Sequence, residues 1–455
     1  MIHSYKLNGL NIVLDVASGA IHSVDDVAFD VIQMLERGMD ESAIAARIKE
    51  AHNIADGEIA EIFSDIDELK RRGKLFSEDT FDKMPVQSGV VAPLKALCLN
   101  VSHVCNMTCG YCFAGRGEYH GGGLMSLETG KRAIDFLIEN SGARKNLDVD
   151  FFGGEPLLNW DVAKAIVEYA RGRELDSGKS FRFTLTTNGL GIDGDVIDFK
   201  NREMRNVVLS LDGRPEVNDA MRRLPSGRGG GTYDIVVPKF KKLIEARGGK
   251  DYYIRGTFTR ENLDFVNDIL HIADLGFREL SMEPVVAKPG SPYALTEDDL
   301  PKILEQYELL AVEMINRKKQ GREFTFYHYT LDLTGGPCVH KRIAGCGVGT
   351  EYLAVTPQGE LYPCHQFIGD EKFVVGDIWA GVSNEKLCEE FGCRNIYTTP
   401  ECRDCWAKMY CSGGCAANNY NATGEITGAY KLGCEFLKKR VECAIMIKVA
   451  EAVGL

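Results

Sequence analysis

The run CNMTCGYC, residues 105–112, sets Cys105, Cys109 and Cys112 in a Cys-x3-Cys-x2-Cys spacing. It brings three thiols to one short loop and offers no fourth ligand nearby. A structural zinc site closes its shell with four protein ligands. A cubane 4Fe–4S cluster held by three thiolates keeps one iron open. A zinc knuckle or three unrelated thiols is the plainer alternative. The surroundings bear on the choice. A strand-like apolar run, Leu94 to Leu99, precedes the loop, and a helical pattern opens at Ser126 beyond a Gly-rich stretch. An α/β fold places its chemistry in such loops, at the carboxyl ends of strands.

Working outward, residues 92–320 alternate between two periodicities. Strand patterns fall at Leu94–Asn100, Asp148–Phe152, Arg182–Thr187, Val207–Leu211, Tyr252–Phe258 and Glu279–Glu283. Helical patterns fall between them, around Ser126–Asn140, Asp161–Arg171, Asp193–Asn201, Tyr233–Arg247 and Glu261–Leu275. Strands alternating with helices predict parallel βαβ units in an α/β fold. Periodicity alone allows either an open sheet or part of a barrel.

One βα unit after the cysteine loop comes Gly153-Gly154-Glu155-Pro156. Two glycines let backbone approach a ligand closely, and Glu155 can accept a hydrogen bond from an ammonium group. The cysteine loop followed by this GGEP loop resembles the radical S-adenosylmethionine (SAM) enzymes. That resemblance implies a partial (β/α)6 barrel, a cluster on Cys105, Cys109 and Cys112, and SAM chelating the open iron. Gly153, Gly154, Glu155 and Pro156 would then hold the amino group of SAM. Thr187 and Asn188, and Ser210 and Asp212, would meet its ribose or carboxylate, and Tyr111 would lie near adenine. Simple turn chemistry accounts equally for the segments Thr186–Gly189 and Ser210–Gly213. Arg222 would pair with the SAM carboxylate through its planar fork, or stand as a surface arginine.

Residues 336–434 change character, with frequent cysteines and few regular helices. Cys346, Gly359 and Cys364 precede Cys402-x2-Cys405-x5-Cys411-x3-Cys415, and Cys434 follows. This arrangement resembles the SPASM extension of radical SAM enzymes. The resemblance implies two auxiliary 4Fe–4S clusters, three in all with the first. Cys402, Cys405, Cys411 and Cys434 would hold the distal one. Cys346, Cys364 and Cys415 would hold the nearer one, with Cys338 a candidate fourth ligand. Without Cys338 that cluster keeps an open iron for a substrate thiolate. Paired zinc sites are the alternative for Cys-x2-Cys spacing. Cys98, Cys388, Cys393 and Cys443 sit in apolar or helical settings and receive no role.

Residues 1–85 read as a separate module: three short strands with Asn8-Gly9 and Ser18-Gly19 turns, then three helical stripes. It predicts a small winged-helix-like unit, yet residues 1–90 hold nine Lys and Arg against seventeen Asp and Glu. The module resembles the leader-peptide recognition elements of enzymes that modify ribosomal peptides; a dimerisation or purely structural unit is the alternative. Residues 86–91 read as a linker and 435–455 as a terminal helix.

Taken whole, the chain resembles the SCIFF-type thioether peptide maturases. That implies a Cys-rich precursor peptide whose leader binds the N-terminal module, and a flavodoxin- or ferredoxin-like electron donor. It also implies a bond between a Cys sulfur and the α-carbon of an acceptor residue, Thr being expected. Rivals are a sulfatase formylglycine-type maturase, a carbon–carbon crosslinking or epimerising maturase, and a non-enzymatic iron–sulfur winged-helix regulator.

The remaining composition sets limits. A chain of 455 residues predicts two or three domains. Its net charge of −13 argues against nucleic acid as a partner. No apolar run approaches a membrane span, and the first residues lack a secretory pattern. Cytoplasmic location is expected, where fifteen cysteines favour metal or catalytic roles over disulfides.

Overall fold

A computed structural model gives the structure of residues 1–83, 92–115, 117–119, 121–225, 230–287, 290–333 and 338–455. The expected linker, 86–91, and the ends of two expected domains, 84–85 and 336–337, lie outside the described residues.

The chain opens with an antiparallel sheet of β1 (Ile2–Leu7), β2 (Leu10–Asp15) and β3 (Ile21–Val24). Asn8 and Gly9, both at positive φ, make the two-residue turn that pairs Leu7 with Leu10. Helices α1 (Asp26–Glu36) and α2 (Glu41–His52) start where Asp25 and Asp40 accept hydrogen bonds from the first turn. With α3 (Asp56–Arg71) they cover one face of the sheet and bury Val13, Phe29, Ile32, Ile44, Ile48, Ile59 and Ile66.

The central sheet holds six parallel strands in chain order. They are β4 (Ala96–Ser102), β5 (Asn146–Gly153), β6 (Ser180–Thr187), β7 (Met204–Ser210), β8 (Tyr252–Phe258) and β9 (Glu279–Pro284). The connections carry α4 (Leu127–Asn140), α5 (Trp160–Ser177), α6 (Gly194–Glu203), α7 (Pro215–Met221), α8 (Tyr233–Ala246) and α9 (Phe265–Asp274). After β9 come α10 (Leu300–Lys319) and a short edge strand, β10 (Thr325–Phe326). The order, six βα units in sequence, is that of a partial barrel. Alternation fixes the faces: Leu147, Val149 and Phe151 of β5, and Phe181, Phe183 and Leu185 of β6, are buried in the main core.

The cysteine-rich region joins this same sheet. After α11 (Val339–Ala344), β11 (Tyr352–Val355) pairs in parallel with β4. β12 (Glu360–Tyr362), β13 (Gly376–Asp377) and β14 (Gly381–Val382) continue it antiparallel. Helices α12 (Glu385–Cys393), α13 (Pro400–Arg403), α14 (Lys408–Cys411) and α15 (Ala416–Thr423) follow. The last helix, α16 (Lys431–Val453), begins before Glu435, so Cys434 lies in its first turn. It packs on α10 and also carries the N-terminal sheet. His3 meets Glu442 at 3.0 Å, and Tyr5 donates to the Glu442 carbonyl at 3.0 Å. Among the described residues no helix is long and apolar enough to cross a membrane.

Candidate active site

The loop after β4 and the loop after β5 are laced together through their backbones. Gly154 donates its N–H to the Ser102 carbonyl at 2.7 Å, and Glu155 donates to the Val104 carbonyl at 2.9 Å. Gly153 sits at φ +130°, and a Cβ there would overlap the Ser102 carbonyl. A Cβ on Gly154 would strike the carbonyls of Val104 and Gly117. Both glycines are therefore required by contact with the cysteine loop itself. On its other side the loop docks on the segment after α7, where Thr108 and Gly110 donate to Arg223 and Met221 at 2.8 and 2.9 Å.

Glu155 is fully buried and turned inwards. Its carboxylate accepts from Leu157 N–H at 3.0 Å, Thr187 hydroxyl at 2.7 Å and Asn188 N–H at 2.8 Å. Burial pushes its pKa up, against those three bonds. Lys200 of α6 is also fully buried, its side-chain nitrogen has no hydrogen-bond partner among the described residues, and burial pushes its pKa down. Asn188 reaches from this group to the cysteine loop, donating to Asn106 Oδ1 at 2.8 Å and toward Cys105 Sγ at 3.7 Å. Pro156 opens the short turn that follows.

A second group lies beyond β7. Asp212 accepts from the Tyr111 hydroxyl at 2.7 Å, from Arg222 at 2.9 Å and from Thr257 N–H at 2.9 Å. Arg222 stands over the Tyr111 ring at 5.6 Å and is buried, so it is no surface arginine. Burial works against its charge, and the Asp212 carboxylate more than offsets that. Its Nε is buried without a hydrogen-bond partner among the described residues. Ser210, the last residue of β7, ends half-buried beside this group.

Cys105, Cys109 and Cys112 lie close enough to act on one another electrostatically. Burial pushes Cys105 up to about 12 and Cys109 up to about 11. Thiols this hard to ionise become ligands when a metal centre draws off their protons. Among the described residues, no three His, Cys, Asp or Glu side chains converge as ligands of a single ion would. A cubane needs no such convergence, because each of its cysteines binds a different iron. An all-thiol donor set is also the wrong one for magnesium or calcium.

The remaining cysteines fall into two groups. Cys364, pushed up to about 12 by burial, lies near Cys415 and Cys346. Cys411, likewise pushed up to about 12, lies near Cys434, Cys402 and Cys405. Cys338 is exposed at the start of α11. Between the two groups sits Arg394, a residue that no motif in the chain singles out. It donates to the carbonyls of Gly413, Gly414 (2.8 Å) and Ile426 (2.8 Å). Its charge reaches Cys415, Cys346, Cys402 and Cys411. An aromatic bridge runs from the first loop towards Cys364: His103 stacks on Tyr119 at 4.6 Å, and Phe152 meets His365 at 4.5 Å.

Residues 99–268 match the radical SAM superfamily. Those residues form a radical SAM domain, and the chain is an enzyme. A radical SAM domain implies a 4Fe–4S cluster and SAM, and the Cys105–Cys112 loop is the thiol set within the matched residues that fits such a cluster. The chain is 22% identical to the radical SAM cyclopropyl synthase TigE of Paramaledivibacter caminithermalis, over 76% of this chain and 72% of that one. Its fold is similar to anSMEcpe, solved with bound AdoMet and the Cp18Cys peptide. There the TM-score is 0.64 at 22% identity, covering 79% of this chain and 99% of that one. It is similar also to Streptococcus suis SuiB bound to S-adenosylmethionine, with a TM-score of 0.52 at 15% identity, covering 94% and 97%.

Proposed function

We propose that this radical SAM enzyme is a peptide maturase that joins a Cys sulfur to the α-carbon of an acceptor residue, Thr in the first instance. The substrate is a Cys-rich ribosomal peptide. The observation that carries the reading is the meeting of three parts in one chain. A radical SAM barrel, two further cysteine groups and an N-terminal sheet covered by acidic helices meet in one fold. Two proteins of similar fold support it: anSMEcpe is solved with a peptide, and SuiB with its precursor peptide SuiA.

In this reading Cys105, Cys109 and Cys112 hold the SAM-binding cluster. Cys402, Cys405, Cys411 and Cys434 hold a distal auxiliary cluster. Cys346, Cys364 and Cys415 hold a nearer one, which Cys338 completes or leaves open to the substrate thiolate. When bound, SAM and its cluster would supply hydrogen-atom abstraction, and clusters on the two outer cysteine groups would supply a sink for the electron released as the C–S bond replaces the S–H and C–H bonds. Glu155 orients Thr187 and Asn188 toward the cluster loop. Asp212, Tyr111 and Arg222 form the wall beyond β7, against which the nucleoside rests. The N-terminal sheet presents β1 and β3 as edges, and a leader segment adds there as a further strand. A small ferredoxin- or flavodoxin-like protein in the cytoplasm supplies the electron.

The test is anaerobic reaction of the reconstituted enzyme with a Cys-rich precursor peptide, read by mass spectrometry. A thioether appears as loss of two hydrogens with one Cys no longer alkylated. Sulfatase-maturating enzymes are also similar in sequence, one from Klebsiella aerogenes at 23% identity over 74% of this chain. Conversion of a Cys or Ser to formylglycine would therefore replace the present reading.

A further inference from the structure

The inner face of the sheet at β8 and β9 carries charges to which none of the roles above assigns work. In β8, Tyr252, Ile254 and Phe258 are buried against the helices. Alternation turns Arg255 and Thr257 to the opposite, inner face. Arg255 pairs in register with Ser210 of β7 on one side and Ser281 of β9 on the other. It therefore lies level with the residue that opens the Asp212 wall. Its guanidinium has no hydrogen-bond or ion-pair partner among the described residues, and it is exposed on a strand that is otherwise largely buried. Its charge acts on Glu283 of β9, on His328 in the turn after β10, and on His365 beside Cys364. Groups on four separate elements thus lie within electrostatic reach of one another, with Ser210 level with Arg255 on one side and Cys364 next to His365 on the other.

Glu283 is the acidic counterpart. Its nearest basic groups are His328 Nε2 at 3.4 Å and Arg440 Nη1 at 3.8 Å, both too long for strong hydrogen bonds. Arg440 spends its Nε and Nη2 on the Tyr307 hydroxyl at 3.0 and 2.8 Å. Its Nη1 meets His328 Nδ1 at 3.3 Å. A guanidinium only donates, so Nδ1 accepts and the His328 proton sits on Nε2, facing Ser281 Oγ and Glu283. Burial works against the Glu283 charge. The Nε2–H of His328 and the charges of Arg440 and Arg255 outweigh it and hold the carboxyl below its usual range. The result is a carboxylate, 33% exposed, that accepts no hydrogen bond among the described residues. Arg255 and Glu283 are not in contact with each other. Thr257 is the register partner of Glu283, so the pair lies diagonally across two strands, with Cα atoms roughly 8 Å apart by strand geometry.

Given the peptide-maturase reading, on which this rests, we propose that Arg255 and Glu283 clamp the backbone of the segment that carries the acceptor residue. An unused donor and an unused acceptor at this spacing match an extended chain, which offers a carbonyl and an N–H at similar separation. Arg255 donates to the carbonyl and Glu283 accepts the N–H. The acceptor α-carbon is thereby held level with Ser210, between the Asp212 wall and the Cys364 group. Contacts of this kind read backbone and leave side-chain identity to other residues.

The experiment compares wild type with Arg255→Met, Arg255→Lys and Glu283→Gln, all full-length and anaerobically reconstituted. Crosslinked peptide, KM for peptide, iron content and peptide-free formation of 5′-deoxyadenosine are measured together. A charge-assisted hydrogen bond predicts at least a tenfold rise in KM for Arg255→Met. Peptide-free 5′-deoxyadenosine and iron content should stay within twofold of wild type. Arg255→Lys should recover part of the loss, and Glu283→Gln, which keeps an acceptor, should lose less. Unchanged KM in both Arg255→Met and Glu283→Gln overturns the clamp. So does parallel loss of iron or of peptide-free SAM cleavage in both Arg255→Lys and Glu283→Gln, because that marks a structural role. A wild-type enzyme that cleaves SAM but crosslinks no Cys-rich peptide overturns the maturase reading itself, and is distinguished by the wild-type control alone.

Discussion

Arg222 donates to Asp212 at 2.9 Å across a contact that water does not reach, with side chains 10% and 0% exposed. Removing one member of such a pair leaves the other charge buried and uncompensated. Arg222→Met should therefore destabilise the protein by about 3–5 kcal/mol. The double variant with Asp212→Asn should recover much of that. Chemical denaturation of the single and double variants gives the coupling. Additive losses would show that the two do not depend on each other.

Gly154→Ala should disconnect the loop after β5 from the cysteine loop. The added methyl meets the carbonyls of Val104 and Gly117, and the Val104 carbonyl cannot move without breaking the 2.9 Å bond it accepts from Glu155 N–H. Iron and sulfide analysis should show a deficit of about one cluster, with SAM cleavage lost and circular dichroism near wild type. Full iron together with normal SAM cleavage would contradict the role given to this contact.

His328 sets a pH dependence. Burial, then the Arg440 charge, push it down to about 3, so it is neutral in the fold. An unfolded imidazole titrates near 6.5. Below that the unfolded chain binds a proton that the fold refuses. Stability is thus fully present above about pH 6.5 and is lost as pH falls towards 3, by up to about 1.4 kcal/mol per pH unit. His328→Gln should shrink the difference in melting temperature between pH 7.5 and pH 5. An equal difference in both proteins would mean that His328 accepts its proton within the fold.

Arg394 ties the two outer cysteine groups to the Gly413–Gly414 backbone. Arg394→Lys keeps the charge but cannot span three carbonyls with one ammonium. If the cysteine groups hold clusters as proposed, the Lys variant should bind less iron than wild type while keeping the cluster assigned to Cys105, Cys109 and Cys112. Electron paramagnetic resonance of the reduced protein, with and without SAM, separates these populations. Loss of the SAM-responsive signal alone would place Arg394 in the wrong part of the molecule.

Much of the barrel is legible in the amino-acid sequence. Six strand patterns lie within a few residues of β4 to β9, because alternating burial writes itself into short apolar runs. The cysteine and GGEP loops are visible because their chemistry needs particular residues at particular spacings. Other features leave no local trace. β11 spans only four residues, and its partner β4 lies some 250 positions earlier, so no window of sequence records the pairing. Arg394 follows a cysteine that has no assigned role, and Arg255 is one charge in an otherwise ordinary strand, YYIRGTF. What makes each of them distinctive is what the fold brings beside it. The same holds for Thr187 and Asn188, expected to meet SAM, which the fold engages first with Glu155.

The pairing of β11 with β4 has an evolutionary and practical cost. It makes the cysteine-rich tail a wall of the barrel, so the tail cannot be clipped off like a tag. A truncated chain ending before β11 would bare the edge of β4 from Ala96 to Leu99, in a strand with every residue buried, and such an edge recruits other chains. Engineers who swap tails between related enzymes should expect insoluble product unless the four residues Tyr352–Val355 travel with the barrel.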